Sequence, residues 1–152
     1  AGLDVTASAW ELINRTPGRF GLAAGPGAEQ AAMALARQAG GAVTHVGSLL
    51  TVEHPDGIRS PERLLRGHRV LVDLDVLFWP DVLVDPLRLL RTLARYTPLV
   101  ALWPGEISGG RATYSEPGRR DHYDQPVPAE AIVLRARSTT FPDELPYVVE
   151  RT

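Results

Sequence analysis

The stretch from Phe20 to Gly41 constrains the fold of this chain more than any other. The apolar run Phe20 to Ala24 predicts a short buried strand, and Gly25-Pro26-Gly27 is typical of a turn. Ala28 to Ala39 is rich in strong helix formers, and two glycines end the run. A strand, a glycine turn and a helix in this order form the frame of a phosphate-binding loop.

The residues that would bind phosphate are missing from this frame. A P-loop requires G-x-x-x-x-G-K-(S/T). Counted from Gly25, the motif places Gln30, Ala31 and Ala32 where Gly, Lys and Ser/Thr are needed. We therefore interpret the segment as a degenerate Walker A loop made of Gly25, Pro26, Gly27, Ala28, Glu29, Gln30, Ala31 and Ala32.

The basic residues of the chain include no direct substitute for the missing phosphate-binding lysine. The chain has no lysine, because all 16 of its basic residues are arginine. An arginine is larger than a lysine, planar and never deprotonated, so it is not a simple replacement. Glu29 also adds a negative charge where a phosphate would lie. The sequence predicts that ATP hydrolysis has been lost.

The remaining elements predict an α/β protein. Alternating strands and helices favour a three-layer sandwich with a mainly parallel sheet, P-loop NTPase-like and forming a single domain over 1–152. A hairpin is predicted at Gly109-Gly110, and an ordered surface loop over 116–128. The other predicted strands are at 42–46, 69–78, 98–103 and 131–134, and the predicted helices at 5–14, 28–39, 60–65 and 87–96.

Three strand ends are predicted to converge. Ligand sites in parallel sheets lie beyond the carboxyl ends of the strands, which here are Gly25–Gln30, Asp73–Asp75 and Trp103–Glu106. Asp73 and Asp75 follow an apolar run and are therefore similar to the Walker B acids that act on the magnesium side of NTPases. The alternative is that each acid caps a turn or pairs with an arginine.

Composition argues against several other functions. A net charge of −2 gives no electrostatic case for binding nucleic acid or an anionic membrane. Without cysteine there is neither a disulfide nor a thiolate zinc site, and the four histidines lack metal-ligand spacing. A G-x-S-x-G elbow and a G-x-G-x-x-G fingerprint are both absent from the sequence. We predict no catalytic residue and no metal site.

The location and the arginine distribution complete this picture. No apolar run approaches the roughly 20 residues of a membrane span, and the N-terminus is not typical of a signal peptide. A cytoplasmic location is therefore expected.

Arg88, Arg91 and Arg95 form a stripe on one predicted helix, which favours a solvated face over a nucleic-acid contact.

The segment from Arg69 to Pro126 resembles a known family. Asp85 to Leu90 and the strand ending in Trp103-Pro104-Gly105 carry part of the resemblance, and Gly110 to Gly118 (Gly-Arg-x-Thr-Tyr-x-Glu-Pro-Gly) carries the most specific part. The segment is similar to BrxF, the small P-loop-containing protein of type 3 BREX (bacteriophage exclusion) systems. Residues 1–60 match that family only in layout.

The resemblance implies a cytoplasmic accessory protein in phage defence. Its partners would be a BrxC-type ATPase, a DNA methyltransferase and a PglZ-type protein. The family carries a nucleotide-binding loop, from which this chain departs at Gln30, Ala31 and Ala32. This departure, taken with the resemblance, favours a pseudo-enzyme that acts as a scaffold or regulator. No cofactor is expected, although the helix N-terminus leaves weak binding of ATP and magnesium open.

Two roles remain open for the family motif. Its residues form either a structural corner or a surface for a partner, and they are Trp103, Pro104, Gly105, Arg111, Tyr114 and Glu116.

Two other functions and the oligomeric state also remain open. One is an active NTPase whose phosphate-binding cation comes from a partner or from an arginine, for which Arg111 is the candidate. The other is a nucleic-acid-binding module that uses the arginine stripe with Arg119 and Arg120. A homo-oligomer is compatible with all of these readings.

Overall fold

A mainly parallel sheet of seven strands forms the centre of the computed structural model, which describes residues 3–4, 9–136 and 147–150. The strands are β1 Leu3–Asp4, β2 Phe20–Ala24, β3 Thr44–His45, β4 Val70–Val72, β5 Val100–Leu102, β6 Glu106–Ser108, β7 Arg111–Tyr114, β8 Tyr123–Pro126, β9 Ala131–Ala136 and β10 Tyr147–Glu150. The α-helices are α1 Ala9–Arg15, α2 Ala28–Gln38, α3 Val46–Ser48, α4 Pro61–Leu65 and α5 Pro86–Ala94. A π-helical turn covers Leu49–Glu53, and 3-10 helices cover Gly57–Arg59 and Leu74–Phe78.

The strand order places the glycine turn near the middle of the sheet. The order is β1-β10-β9-β2-β5-β4-β3, in which β9, β2, β5, β4 and β3 are parallel, β10 is antiparallel to β9, and β1 is antiparallel to β10. Numbered along the chain, the five parallel strands lie in the order 5-1-4-3-2. Doubly wound folds have two common strand orders, that of the dinucleotide-binding fold and that of the flavodoxin-like fold, and the order observed here differs from both. An α/β fold with a mainly parallel sheet, as the sequence predicted, is confirmed.

Helices cover both faces of the sheet. Alternate residues of β2 and β9 point to opposite faces: Leu22 and Val133 belong to the core cluster that includes α5, and Ala23 and Ile132 belong to the cluster that includes α1 and α2. Helix α2 contributes four alanines and Leu35 to the second cluster. Small side chains let the helix approach the sheet closely.

A smaller antiparallel sheet, β6-β7-β8, lies after β5. The predicted hairpin at Gly109-Gly110 is confirmed, because Ser108 pairs with Arg111 and both glycines have positive φ, 59° and 76°. Positive φ at both central residues is the geometry of a two-residue type I′ turn. The predicted surface loop over 116–128 is wrong in its second half, since Tyr123–Pro126 forms β8 and pairs with β7.

The predicted strand over 69–78 is wrong beyond its first few residues. Strand β4 ends at Val72, and Asp73 adopts a left-handed conformation (φ 59°, ψ 54°) that turns the chain into the 3-10 helix Leu74–Phe78. A continuous apolar run indicates burial but does not distinguish a buried strand from a buried helical turn.

Three smaller differences concern element ends. The strand predicted at 42–46 is reduced to the two residues of β3. The first helix begins at Ala9, and the predicted portion over 5–8 lies outside the described residues. The segment 135–152, about which the sequence was uninformative, contributes β10 to the main sheet.

Gly105→Ala should destabilise the protein strongly. A Cβ on Gly105 would lie 1.8 Å from the carbonyl oxygen of Thr113, so the segment that leads into β6 would have to move away from β7. We expect a loss of about 2–4 kcal/mol in the free energy of unfolding, measured by urea denaturation.

Gly118→Ala is the matched control for this substitution. Gly118 has open space around it but a φ of 91°, so its variant should lose only about 1–2 kcal/mol through backbone strain. Equal losses in the two variants would contradict the predicted close contact.

Candidate functional site

The three predicted strand ends line one pocket of about 580 Å³. It lies beyond the carboxyl ends of β2, β4 and β5, where ligand sites occur in parallel sheets. Its lining residues are Gly25, Gly27, Ala28, Glu29, Gln30, Asp73, Asp75, Leu102, Trp103, Pro104 and Gly105. We call this the strand-end pocket.

The turn between β2 and α2 is shorter than a phosphate loop. Only Gly25, Pro26 and Gly27 separate the strand from the helix. The Ala28 N–H donates to the Gly25 carbonyl at 3.2 Å, and Gly27 has φ 76° and ψ 5°. Proline followed by a positive-φ glycine is the pattern of a type II turn. Because this tight turn already uses the Ala28 N–H, the backbone does not form a loop that surrounds an anion.

The two positions that should carry Lys and Ser/Thr point into the interior. Ala31 and Ala32 are both 0% exposed and pack in the core cluster between α2 and the sheet. They do not belong to the strand-end pocket. Gln30, by contrast, is exposed and lines it.

The strand-end pocket is acidic. Glu29, Asp73 and Asp75 are exposed and line it, and its lining within the described part of the chain includes no arginine. Asp73 lies against α3, where its carbonyl accepts the Gly47 N–H at 3.1 Å, and a Cβ on Gly47 would lie 2.5 Å from Asp73 Oδ2. Three carboxylates repel a triphosphate, because like charges raise its binding free energy.

Three features of the site differ from a phosphate loop that holds a nucleotide with magnesium. The turn is only three residues long, the lysine position is buried, and the charged side chains that line the pocket are negative. Over residues 3–4, 9–136 and 147–150, no group of three or more His, Asp or Glu side chains is placed to hold a metal ion.

Arg135 is the cation that sequence analysis missed. It follows the predicted strand 131–134 and lies in register with Ala24, so it reaches the same sheet edge as the glycine turn. Its Nη1 is 3.1 Å from the position that a Cβ on Gly25 would take. Its guanidinium also donates to the Ile107 carbonyl and lies 3.5 Å from a carboxylate oxygen of Glu150. The sequence did contain one signal for this placement: Arg135 directly follows an apolar strand, and a strand that pairs with β2 would bring it to the glycine turn.

Arg111 lies elsewhere. Its Nε pairs with Asp124 Oδ1 at 2.7 Å across the small sheet, and it does not line the strand-end pocket. Asp124 is therefore its carboxylate partner. Glu116 itself is exposed.

The family motif forms a corner between the two sheets. Trp103 is 3% exposed; its backbone N–H donates to the Ala23 carbonyl at 2.8 Å, and its Nε1–H donates to the Thr113 carbonyl at 3.0 Å. Tyr114 stacks on Phe78 with ring centroids 4.0 Å apart. Pro104 and Gly105 line the pocket beside them.

Two tyrosines of this corner have raised pKa values. Burial, and then the hydrogen bond that the Tyr114 hydroxyl donates to Asp75 Oδ2 at 2.9 Å, raise the pKa of Tyr114 to about 12. Burial and a hydrogen bond to Asp85 at 2.6 Å also raise the pKa of Tyr123. Each contact stabilises the neutral phenol, because ionisation would place two negative charges side by side.

The predicted arginine stripe is exposed. Arg88, Arg91 and Arg95 all face solvent, and Arg91 Nε lies 2.5 Å from Glu130 Oε2. One of the three charges is thus paired within the protein.

Comparisons with known proteins identify no relative. A scan against protein-family models, a search of curated proteins and a search of solved structures each give no match. Among the helices that the structure describes, none is both long and apolar enough to cross a membrane.

The Tyr114–Asp75 contact predicts a specific loss of stability in alkali. Tyr114 binds its proton more tightly in the folded state, since its pKa rises from 10.0 to about 12. The resulting stabilisation is complete below pH 10 and is lost as the pH rises to about 12. Ultraviolet titration of tyrosinate should show a group with a midpoint near 12 that disappears in Tyr114→Phe.

Two carboxylate variants test the cause of this shift. Asp75→Asn should lower the midpoint of the same group, because it removes the hydrogen-bonded charge. Asp73→Asn should leave it unchanged, since the Tyr114 hydroxyl donates to Asp75. An unshifted Tyr114 in the wild-type protein would contradict the observed contact.

Proposed function

We propose that this chain is an accessory protein of a bacterial BREX-type phage defence system. In this proposal it is a cytoplasmic P-loop-like domain that has lost ATP hydrolysis and acts as a scaffold or regulator of partner proteins. Its partners would be the BrxC-type ATPase, the methyltransferase or the PglZ-type protein of the system.

One observation supports the proposed loss of ATP hydrolysis. The strand-end pocket has the position of a phosphate site but is lined by three carboxylates, beside a three-residue turn and two buried alanines. The strand order is compatible with this proposal: β5 lies between β2 and β4, so the glycine turn and Asp73 lie at the same sheet edge.

The resemblance at Gly110 to Gly118 supports the defence role. The motif packs as a corner through Trp103 and Tyr114, which explains its aromatic residues. Its last residues, from Ser115 to Gly118, are exposed. A partner would contact the motif at this end.

An active NTPase is the second candidate, and Arg135 is the observation that favours it. Its guanidinium lies beside Gly25, where a cation would be needed to bind a phosphate group. Against it, the same guanidinium is already engaged by Ile107 and Glu150.

Calorimetric titration with ATP and magnesium separates the two candidates. For a pseudo-enzyme we expect no saturable binding at micromolar concentrations and no release of phosphate. Sub-micromolar binding with turnover would overturn the proposal. In that case Arg135→Ala should weaken binding about tenfold or more while Arg111→Ala leaves it unchanged, since charge-assisted contacts to phosphate are strong.

Co-expression with a type 3 BREX system tests the partner role. The tagged chain should co-purify with at least one of the three named proteins. Glu116→Arg should weaken this association, because it reverses a charge at the exposed end of the motif. Glu11→Arg, on the exposed side of α1, is the matched control. Failure of the wild-type chain to retain any of the three proteins would contradict the assignment.

A further inference from the structure

A groove of about 540 Å³ runs between α4 and α5, away from the strand-end pocket. One part of its lining is cationic and the other is apolar. The side chains that define these parts are Arg59, Arg63, Arg88, Leu83, Val84 and Leu89. We call this the arginine–leucine groove.

The cations of the groove are available to a partner. Its two carboxylates are already engaged: Glu62 lies 3.4 Å from Arg66, and Asp85 accepts hydrogen bonds from the Tyr123 hydroxyl and the Arg88 N–H. The ion pairs formed among residues 3–4, 9–136 and 147–150 include none of the three arginines of the groove. All three are exposed.

Leu83 gives the groove an apolar rim. It is 92% exposed, more than any other large apolar side chain that the structure describes, and Trp79 in the same loop is 48% exposed. The loop is held in place, because Val82 beside Leu83 is only 5% exposed and its N–H donates to the Trp79 carbonyl at 3.0 Å. A loop whose backbone is already ordered loses little backbone conformational entropy on binding.

We propose that the arginine–leucine groove docks an acidic segment of a partner protein. The segment carries a large apolar side chain next to Asp or Glu residues. The apolar group packs against Leu83, and the carboxylates bind the guanidiniums, whose planar donor pattern fits a carboxylate. This docking proposal rests on the scaffold function proposed above and assigns it one partner-binding surface. That surface is separate from the strand-end pocket.

Charge and shape together favour a peptide over a nucleic acid. Phosphates would satisfy the arginines but would leave Leu83 uncovered. An acidic peptide supplies both the carboxylates and the apolar side chain.

Selection from a random dodecapeptide library identifies the preferred ligand. The full-length wild-type chain is the target, and Leu83→Glu is used to remove peptides that bind elsewhere. The expected result is enrichment of peptides with a large apolar residue flanked by acids. Failure to enrich any peptide, or enrichment of basic peptides, would overturn the proposal.

Fluorescence anisotropy with an enriched synthetic peptide tests the residues. Leu83→Ala should weaken binding about tenfold or more, because the apolar contact is lost. Arg63→Ala and Arg88→Ala should each weaken it about three- to tenfold, and binding should weaken as NaCl rises from about 0.1 to about 0.5 M. Val52→Ala, 74% exposed but outside the groove, and Arg37→Ala on α2 are matched controls expected to bind normally.

Two further outcomes would overturn the choice of occupant. Tighter binding of a single-stranded oligonucleotide that depends on Arg63 and Arg88 but not on Leu83 would assign the groove to nucleic acid. A dimer in sedimentation that Leu83→Ala dissociates would assign it to a second copy of this chain. Because the selection uses no BREX protein, peptide binding can succeed where co-purification with BREX proteins fails, so the two proposals fail independently.

Discussion

The parallel pairing of β2 with β5 on one side and β9 on the other is the interaction on which the rest of the structure depends. It requires a very small residue at Gly21, between the two neighbouring strands. A Cβ on Gly21 would lie 3.1 Å from both Leu134 and Val100, which leaves little room for a larger residue. Because β2, β5 and β4 run parallel, the glycine turn after β2 lies at the same sheet edge as the ends of β4 and β5, and the strand-end pocket follows from that placement.

The packing of α2 and phosphate chemistry make opposing demands on the same residues. The helix begins at Ala28, directly after the turn, so that Ala31 and Ala32 face the sheet. A lysine at either position would have to bury its ammonium group in an apolar core, which is strongly unfavourable. The alanines therefore improve helix–sheet contact at positions that an NTPase needs for phosphate and metal.

An aromatic cluster holds the corner between the two sheets together. Phe78 contacts Trp103, Tyr114 and Tyr123, and Trp103 also contacts Tyr123, which joins the 3-10 helix after β4 to both sheets. Asp75 accepts a hydrogen bond from this cluster, so one of the two acids that follow β4 has a structural partner. The arginine–leucine groove differs from this buried corner, because its arginines and Leu83 are exposed to solvent.

The sequence by itself determined the α/β class, the β2–turn–α2 unit, the hairpin at Gly109-Gly110 and the three strand ends that form the pocket. Local propensity and glycine chemistry specify these features. Only the tertiary structure decided that the run after Val72 is helical, that Ala31 and Ala32 face the core and that Arg135, rather than Arg111, lies beside Gly25. The physical reason is that apolar periodicity reports burial, whereas the direction of a side chain and its neighbours depend on strand order and on where each helix begins.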